Sequence, residues 1–307
     1  MRKDELSKPK KNKTYSVLFI HGFIIFLSLM SAVVLYIYLW ADENHKTYLS
    51  YHDAQGVAYY PGPWGKTLVK AEDKSVSSIE IRQGTAKIEN NAFYGCSNLE
   101  SITIPDSVTE LGESVFFDCA KLSSVNLPPG VASIPKGTFF KCTGLKSFVI
   151  PATVKSIGRN AFIGCKSLTS VEIPDGIAVI EENTFKDCSQ LASVKLPPSV
   201  TKLQDNVFNG CTNLKSLAFP PQLKTIGAGA FEKSGLTEVK LPDSVKLIQN
   251  KAFQDCPNLS SVSFPSGQLT IRKNAFRNCP KLRSVAVSSQ TTVEAGAFPP
   301  HTKIMRR

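Results

Sequence analysis

The run Leu99-Glu-Ser-Ile-Thr-Ile-Pro-Asp-Ser-Val-Thr-Glu-Leu-Gly-Glu-Ser-Val-Phe-Phe-Asp-Cys119 decides the fold, because it recurs along most of the 307-residue chain. Phe recurs at 93, 116, 139, 162, 185, 208, 231, 253, 276 and 298, in six steps of 23 followed by steps of 22, 23 and 22. Cys stands three residues after Phe at 96, 119, 142, 165, 188, 211, 256 and 279, which accounts for every cysteine in the protein. Ser234 holds the same place after Phe231. A fixed period of 20–50 residues is the signature of a stacked repeat and is read before anything else.

A second set of positions keeps the same period. Leu occurs at 99, 122, 145, 168, 191, 214, 236, 259 and 282. Three residues later stands Ile102, Val125, Phe148, Val171, Val194, Leu217, Val239, Val262 or Val285, and two further on another apolar residue, as at Ile104 or Leu127. The alternation at the end of Leu-x-x-Val-x-Leu predicts a short strand. Proline follows at 105, 128, 151, 174, 197, 220, 242 and 265 and ends the strand, because it has no N–H for a ladder. A shorter apolar pair comes next, such as Val108 and Leu111 or Val154 and Ile157.

These residues resemble the BspA-like leucine-rich repeat, a bacterial and protist class with a 23-residue period, over roughly 76–304. The resemblance implies a curved β-rich solenoid, with a parallel sheet on one face and short turns or strands opposite. It also implies a surface or secreted protein that binds other macromolecules. Physics supports the architecture by itself. One unit has no second layer, and stacking units about 4.8 Å apart supplies that layer and pairs the strands. Each buried Leu, Val or Phe contributes about 1.5–3 kcal/mol, against about 0–1 kcal/mol for an exposed ion pair.

The amino-terminal region is different. Residues 1–14 carry +4, and 15–40 contain no Asp, Glu, Lys or Arg. Those 26 residues reach about 39 Å as a helix, enough for a hydrocarbon core of about 30 Å. Tyr36, Tyr38 and Trp40 gather at one end, as interfacial aromatics do. The run is too long for a signal-peptide core, and Leu39 before Ala41 makes a poor cleavage site. The expected organisation is a basic cytoplasmic tail (1–14), a transmembrane helix (15–40), a linker and amino-terminal cap (41–75), the solenoid (76–304) and a basic carboxy-terminal tail (305–307). With the basic tail inside, the solenoid is expected outside the cytoplasm, in the periplasm, at the cell surface or in a lumen. Within 41–75, Tyr48, Tyr51, Tyr59, Tyr60 and Trp64 surround the turn Pro61-Gly-Pro63. They fit a cap over the first turn better than a binding patch. At the far end Val293, Phe298 and Ile304 keep the pattern, and Pro299 and Pro300 are expected to close it.

The cysteine row admits disulfides or buried thiols. Identical positions on neighbouring turns point the same way, about 4.8 Å apart, farther than the Cβ separation of about 3.8 Å that a disulfide takes. Buried free thiols acting as small apolar fillers are therefore expected. No CxxC pair or mixed His cluster marks a metal site, and no cofactor is expected.

Three rows of exposed strand residues should form the functional face. They are small, polar and mixed in sign, one of them almost all serine (Ser101, Ser124, Ser147, Ser170, Ser193, Ser216). That serine row is read as a product of tight strand spacing and hydrogen bonding. The candidate partner-binding residues are Lys146, Glu172, Lys195, Lys215, Lys240 and Arg283. The total charge of +11 leaves +7 on 41–307 after the tail's +4, with Arg272, Lys273, Arg277, Lys281 and Arg283 clustered late. Nucleic acid is an unfavoured partner, since that end should lie outside the cytosol and lacks interleaved aromatics. His45, His52 and His301 fall outside the regular repeats and in no HExxH or GxSxG setting, so no enzyme is expected. Asp106, Asp175 and Asp243 recur in Pro-Asp turns, where a carboxylate caps backbone N–H groups. The reading is a membrane-anchored repeat protein that binds a protein or polysaccharide on the exposed sheet. The alternative is a structural spacer or scaffold for envelope proteins.

Overall fold

The computed structural model describes residues 50–62 and 65–307. The basic tail and the expected membrane span over 15–40 lie outside the described residues, as do Tyr48 and Trp64. Among the described residues no helix is long and apolar enough to cross a membrane.

The described chain is a β-solenoid in which successive turns stack in register. We number the turns from 76–98 (first), with 145–167 the fourth and 168–190 the fifth. On one face, strands Ser78–Glu80, Ser101–Thr103 and Ser124–Val125 run parallel, with Ile79, Ile102 and Val125 in register. Ser170–Glu172 pairs with Ser193–Lys195, and a last group joins Glu238–Lys240, Ser261–Ser263, Ser284–Val287 and Lys303–Arg306. Each strand turns its central residue inward and its neighbours outward, the alternation read from Leu-x-x-Val-x-Leu. The second apolar pair forms another parallel sheet opposite, including Val179–Ile180, Lys202–Leu203, Thr225–Ile226 and Leu247–Ile248.

Between the sheets runs the row of ten phenylalanines. Consecutive rings lie 5.0–5.6 Å apart and within 21° of parallel, from Phe93 to Phe298. Each ring covers the next, and such pairs add about 0.5–1.5 kcal/mol beyond area burial. The corner carrying each ring has its own ladder: Asn160, Phe162 and Gly164 donate N–H to Glu182, Thr184 and Lys186 of the following turn at 2.8–3.0 Å. The alternate residues bond within the turn, for example Cys165 N–H to the Phe162 carbonyl at 3.2 Å. To alternate in this way the backbone goes left-handed two residues before and two after each Phe from Phe93 to Phe276, as at Asn91 (φ 58°) and Gly95 (φ 69°) around Phe93. Asn, Asp and Gly fill most of these places because they tolerate that conformation.

The amino-terminal aromatics close the first turn. Val57–Gly62 and Gly65–Ala71 make an antiparallel hairpin, and its second strand runs parallel to Thr85–Ile88 of the first turn. Tyr59 is fully buried, and its hydroxyl accepts the Arg82 N–H at 3.2 Å. Burial pushes the Tyr59 phenol up to about 12. At the other end Pro299 and Pro300 do not close the pattern. The chain continues into Lys303–Arg306, whose residues pair with Ser284–Val287. Met305 and Arg306 are thus strand residues and not a loose tail, because parallel pairing satisfies their backbone. Arg306 Nη1 also donates to the Thr291 carbonyl at 2.7 Å.

All eight cysteines are free and buried. They are more than fillers. The Cys119, Cys142, Cys165, Cys188 and Cys211 thiols each donate to the carbonyl of the preceding turn's Phe, at 3.0–3.2 Å. Cys256 and Cys279 do the same at 3.1 Å. The carbonyls of Phe93, Phe116, Phe139, Phe162 and Phe185 already accept the N–H of their own turn's Cys, and that of Phe231 the Ser234 N–H, so the thiol fills the second lone pair. Ser234 keeps a hydroxyl 3.3 Å from the Cys256 sulfur.

Burial raises the thiols of Cys96, Cys119, Cys142, Cys165, Cys188 and Cys211. A folded thiol that holds its proton above the unfolded value of about 8.5 contributes stability fully present below that pH and lost as pH rises past it. Between pH 7.5 and 9.5 each such thiol should remove up to about 1.4 kcal/mol in total, so the six together should lower stability by roughly 8 kcal/mol across that window. Urea titrations at pH 7.5 and 9.5 should show this fall, and Cys142→Ser should reduce it by one thiol's share. Equal stability at the two pH values would contradict the assignment. In the Phe row, Phe185→Ala should cost about 3–5 kcal/mol in the same assay.

Candidate partner-binding face

The exposed strand residues fall in straight rows because the register between turns repeats. In the first row, hydroxyls bridge turns. Ser123 Oγ donates to the Glu100 carbonyl, and Thr169 Oγ1 to that of Lys146, at 3.2 and 3.3 Å. Thr237 and Ser260 continue the pattern at 3.2 Å. The inter-turn hydrogen bonding expected of the neighbouring serine row is therefore made here, one residue earlier, while those serines face outward.

All six charged candidates are exposed on this face. Glu172 and Lys195 stand in register on paired strands, and their side chains form an ion pair. The hydrogen bond to Glu172 raises the Lys195 pKa. Lys240 Nζ lies 3.8 Å from Glu238 Oε1 on its own strand. Lys146, Lys215 and Arg283 sit in the first row on the fourth, seventh and tenth turns, where they serve the stack through their backbones. The Lys215 carbonyl accepts the Thr237 N–H at 3.1 Å, and the Arg283 carbonyl accepts the Lys303 N–H at 2.8 Å. The face brings Glu172 and Lys195 together and keeps the other four apart.

Residues outside the candidate set surround that pair. A groove of about 650 Å³ runs over turns four to six, lined by Val149, Ala152, Glu172, Pro174, Lys195 and Pro198 among others. Val149 is 76% exposed, the most exposed large apolar side chain among the described residues. The groove has an apolar floor, two lysines (Lys155 and Lys195) and two carboxylates (Glu172 and Asp175). It offers apolar contact and charge pairing, the grip a non-covalent partner needs. Among the described residues no group of three or more His, Cys, Asp or Glu is placed to hold a metal ion.

The sequence held one signal for this place. Phe148 and Leu217 interrupt the β-branched series at the central inward position. The strand-face sheet stops at those two turns, since neither has an assigned strand there. The Phe148 ring is wedged between Phe139 and Phe162, at 4.8 and 5.2 Å, and the groove opens beside it. A second feature went unread. Tyr94, Phe117 and Phe140 stack at 4.7 and 4.4 Å along the corner, with Lys74 over Tyr94 and Lys141 over Phe140. The aromatic that follows the ladder Phe in the first three turns, Tyr94, Phe117 and Phe140, was its signal. The faces of Phe117 lie against its two neighbours, and the end rings, Tyr94 and Phe140, each carry a lysine.

The family profile described as "BspA type Leucine rich repeat region (6 copies)" matches residues 71–192 and 179–304. Among solved structures, a leucine-rich repeat protein from Bacteroides ovatus is 26% identical, over 84% of this chain and 76% of that one, with a TM-score of 0.58. The T. pallidum leucine-rich repeat protein is 31% identical, over 59% of this chain and 87% of that one, with a TM-score of 0.54. No curated protein sequence matches. Because the Glu172–Lys195 pair is exposed, Lys195→Ala should leave the melting temperature unchanged. A clear drop in a thermal scan would mean that the pair braces the stack and is not available to a partner.

Proposed function

We propose, for a chain that belongs to the BspA-type leucine-rich repeat family, a non-catalytic role: binding a protein partner on the strand face, with the solenoid held at a membrane by residues 15–40. The observation that carries this reading is the groove over turns four to six, where Val149 stands exposed beside the Glu172–Lys195 pair. Elsewhere the strand face is mostly polar, apart from Ile304 and Met305 on its last strand. Here an apolar side chain and balanced charges lie within one cavity, which suits an extended polypeptide better than an anionic polymer. The charge-free run of 26 residues behind a +4 tail supports the anchor and an extracytoplasmic solenoid.

The partner is tested with a photo-crosslinking residue in place of Val149, used in intact cells and followed by mass spectrometry. A binder should give one reproducible adduct, lost in Val149→Asp and in Lys195→Glu while the melting temperature holds. A chain that only spaces other envelope proteins should be indifferent to both substitutions. Reversing the charge of Lys240, Lys281 and Arg283 serves as a second arm, and loss of the adduct there alone would move the site toward the carboxy-terminal turns. The anchor is tested separately. A chain lacking 1–49 should leave the membrane fraction, and its retention there would overturn the anchor.

A further inference from the structure

Three ladders can join neighbouring turns, the strand-face sheet, the opposite sheet and the Phe corner, and four of the nine junctions have all three. Losses at single ladders have local causes. Phe148 and Leu217 interrupt the strand face. Pro135 interrupts the opposite sheet between the second and third turns. It occupies the place from which Gly112, Gly158, Gln204 and Gly227 donate N–H to the preceding turn at 2.7–2.9 Å, and it has no N–H to give. Each of these junctions keeps one paired sheet.

The junction between the fourth and fifth turns keeps neither. The strand face has no strand at Phe148 to pair with Ser170–Glu172. In the opposite sheet, Ser156–Ile157 pairs back to Ser133–Ile134, and Val179–Ile180 pairs only forward to Lys202–Leu203. Among the described residues, the equivalent bonds from Ala178 and Glu181 back to the fourth turn are not made. Gly176 supplies the reason. In six other turns the apolar residue three past the proline donates its N–H to the proline carbonyl, as Val154 does to Pro151 at 3.0 Å. At Gly176 the backbone goes left-handed, with φ 92°, and Ile177 does not make that bond. The ninth turn also lacks this bond after Pro265 and still pairs, so the displacement of the following residues goes with the left-handed backbone at Gly176. What remains is the Thr169 N–H and hydroxyl on the Lys146 carbonyl at 3.2 and 3.3 Å, the Gln190 N–H on the Lys166 carbonyl at 3.2 Å, the Phe corner bonds with the Cys188 thiol and the Asn183–Asn160 side-chain bond, and the ring stack. The groove spans this junction and reaches the next turn, lined by 148–155, 170–175 and 195–198.

We infer that the junction between turns four and five is a built-in joint, at which the solenoid opens locally before it opens anywhere else among its inner turns. The groove is the outward mark of that joint. The inference holds whether or not the groove takes a partner, because it rests on the missing ladders alone. Opening there separates 145–167 from 168–190 on both faces while the Phe corner stays closed, so the motion is a gape of the groove and not a loss of the turn.

Hydrogen exchange on the full chain, read by mass spectrometry, tests it. Amides in 170–181 should exchange about tenfold faster than those in 193–204 and 238–249, which sit at junctions with paired strands. Equal protection across these segments overturns the joint. The double variant Phe148→Val, Gly176→Ser restores the β-branch and removes the residue that favours the left-handed turn. A Cβ at Gly176 meets nothing within 4 Å, so the substitution is not blocked by packing. It should bring the joint's exchange down to its neighbours' rate, whereas Leu217→Val should leave that exchange unchanged. Fast exchange that persists in a folded double variant would also overturn the assignment. Should the double variant not fold, the comparison within the wild-type chain still decides.

Discussion

A turn of this protein cannot cover its own phenylalanine. Each ring has one face on the preceding turn's ring and the other on the next, at 5.0–5.6 Å, and the row runs unbroken from Phe93 to Phe298. Parallel stacking at this distance forces the same rotamer in every turn, and the same rotamer forces the backbone into register. The two sheets, the thiol row and the corner ladder follow from that register. A residue inserted in one turn would have to be taken up in a loop, and the loss of one residue before Leu236 is absorbed in this way. Phe231 and Phe253 still stack at 5.1 Å although they are 22 residues apart.

The thiols show how closely the interior is specified. A carbonyl facing a core has two lone pairs and no water, so a second donor has value. Cysteine is small enough for the space between rings and supplies a weak S–H to the preceding turn. Serine is tolerated at 234, where its hydroxyl lies against the Cys256 sulfur. Packing and hydrogen bonding thus select the same side chain, and the aligned, buried cysteines stay unpaired because equivalent positions on neighbouring turns stand too far apart for a disulfide.

Against this uniform interior the ladders are editable. One side chain at Phe148, one missing N–H at Pro135 and one left-handed glycine at Gly176 each remove hydrogen bonds without displacing a ring. The energies explain why. A buried Phe contributes several kcal/mol, whereas a backbone hydrogen bond is worth about 1 kcal/mol net. A solenoid can therefore give up pairing at a junction and keep its stack. Where two such losses fall on the same junction a groove forms, and an apolar residue, Val149, stands exposed beside it.

The sequence by itself determined the period, the strand positions, the inward rows and the reduced state of the cysteines, because each repeats at a spacing that only stacked turns can satisfy. It also carried the interruptions: Phe148 and Leu217 stand out in a β-branched series, and Pro135 in a series of N–H donors. The tertiary structure alone decided that Glu172 meets Lys195 while Lys146, Lys215, Lys240 and Arg283 stay on separate turns. It alone decided that Met305 and Arg306 join a strand, and that the losses from Phe148 and Gly176 fall on one junction. The reason is geometric. A repeat fixes what each turn is, but contacts across a junction depend on the φ of a single glycine and the tilt of a single ring, which no periodic pattern encodes.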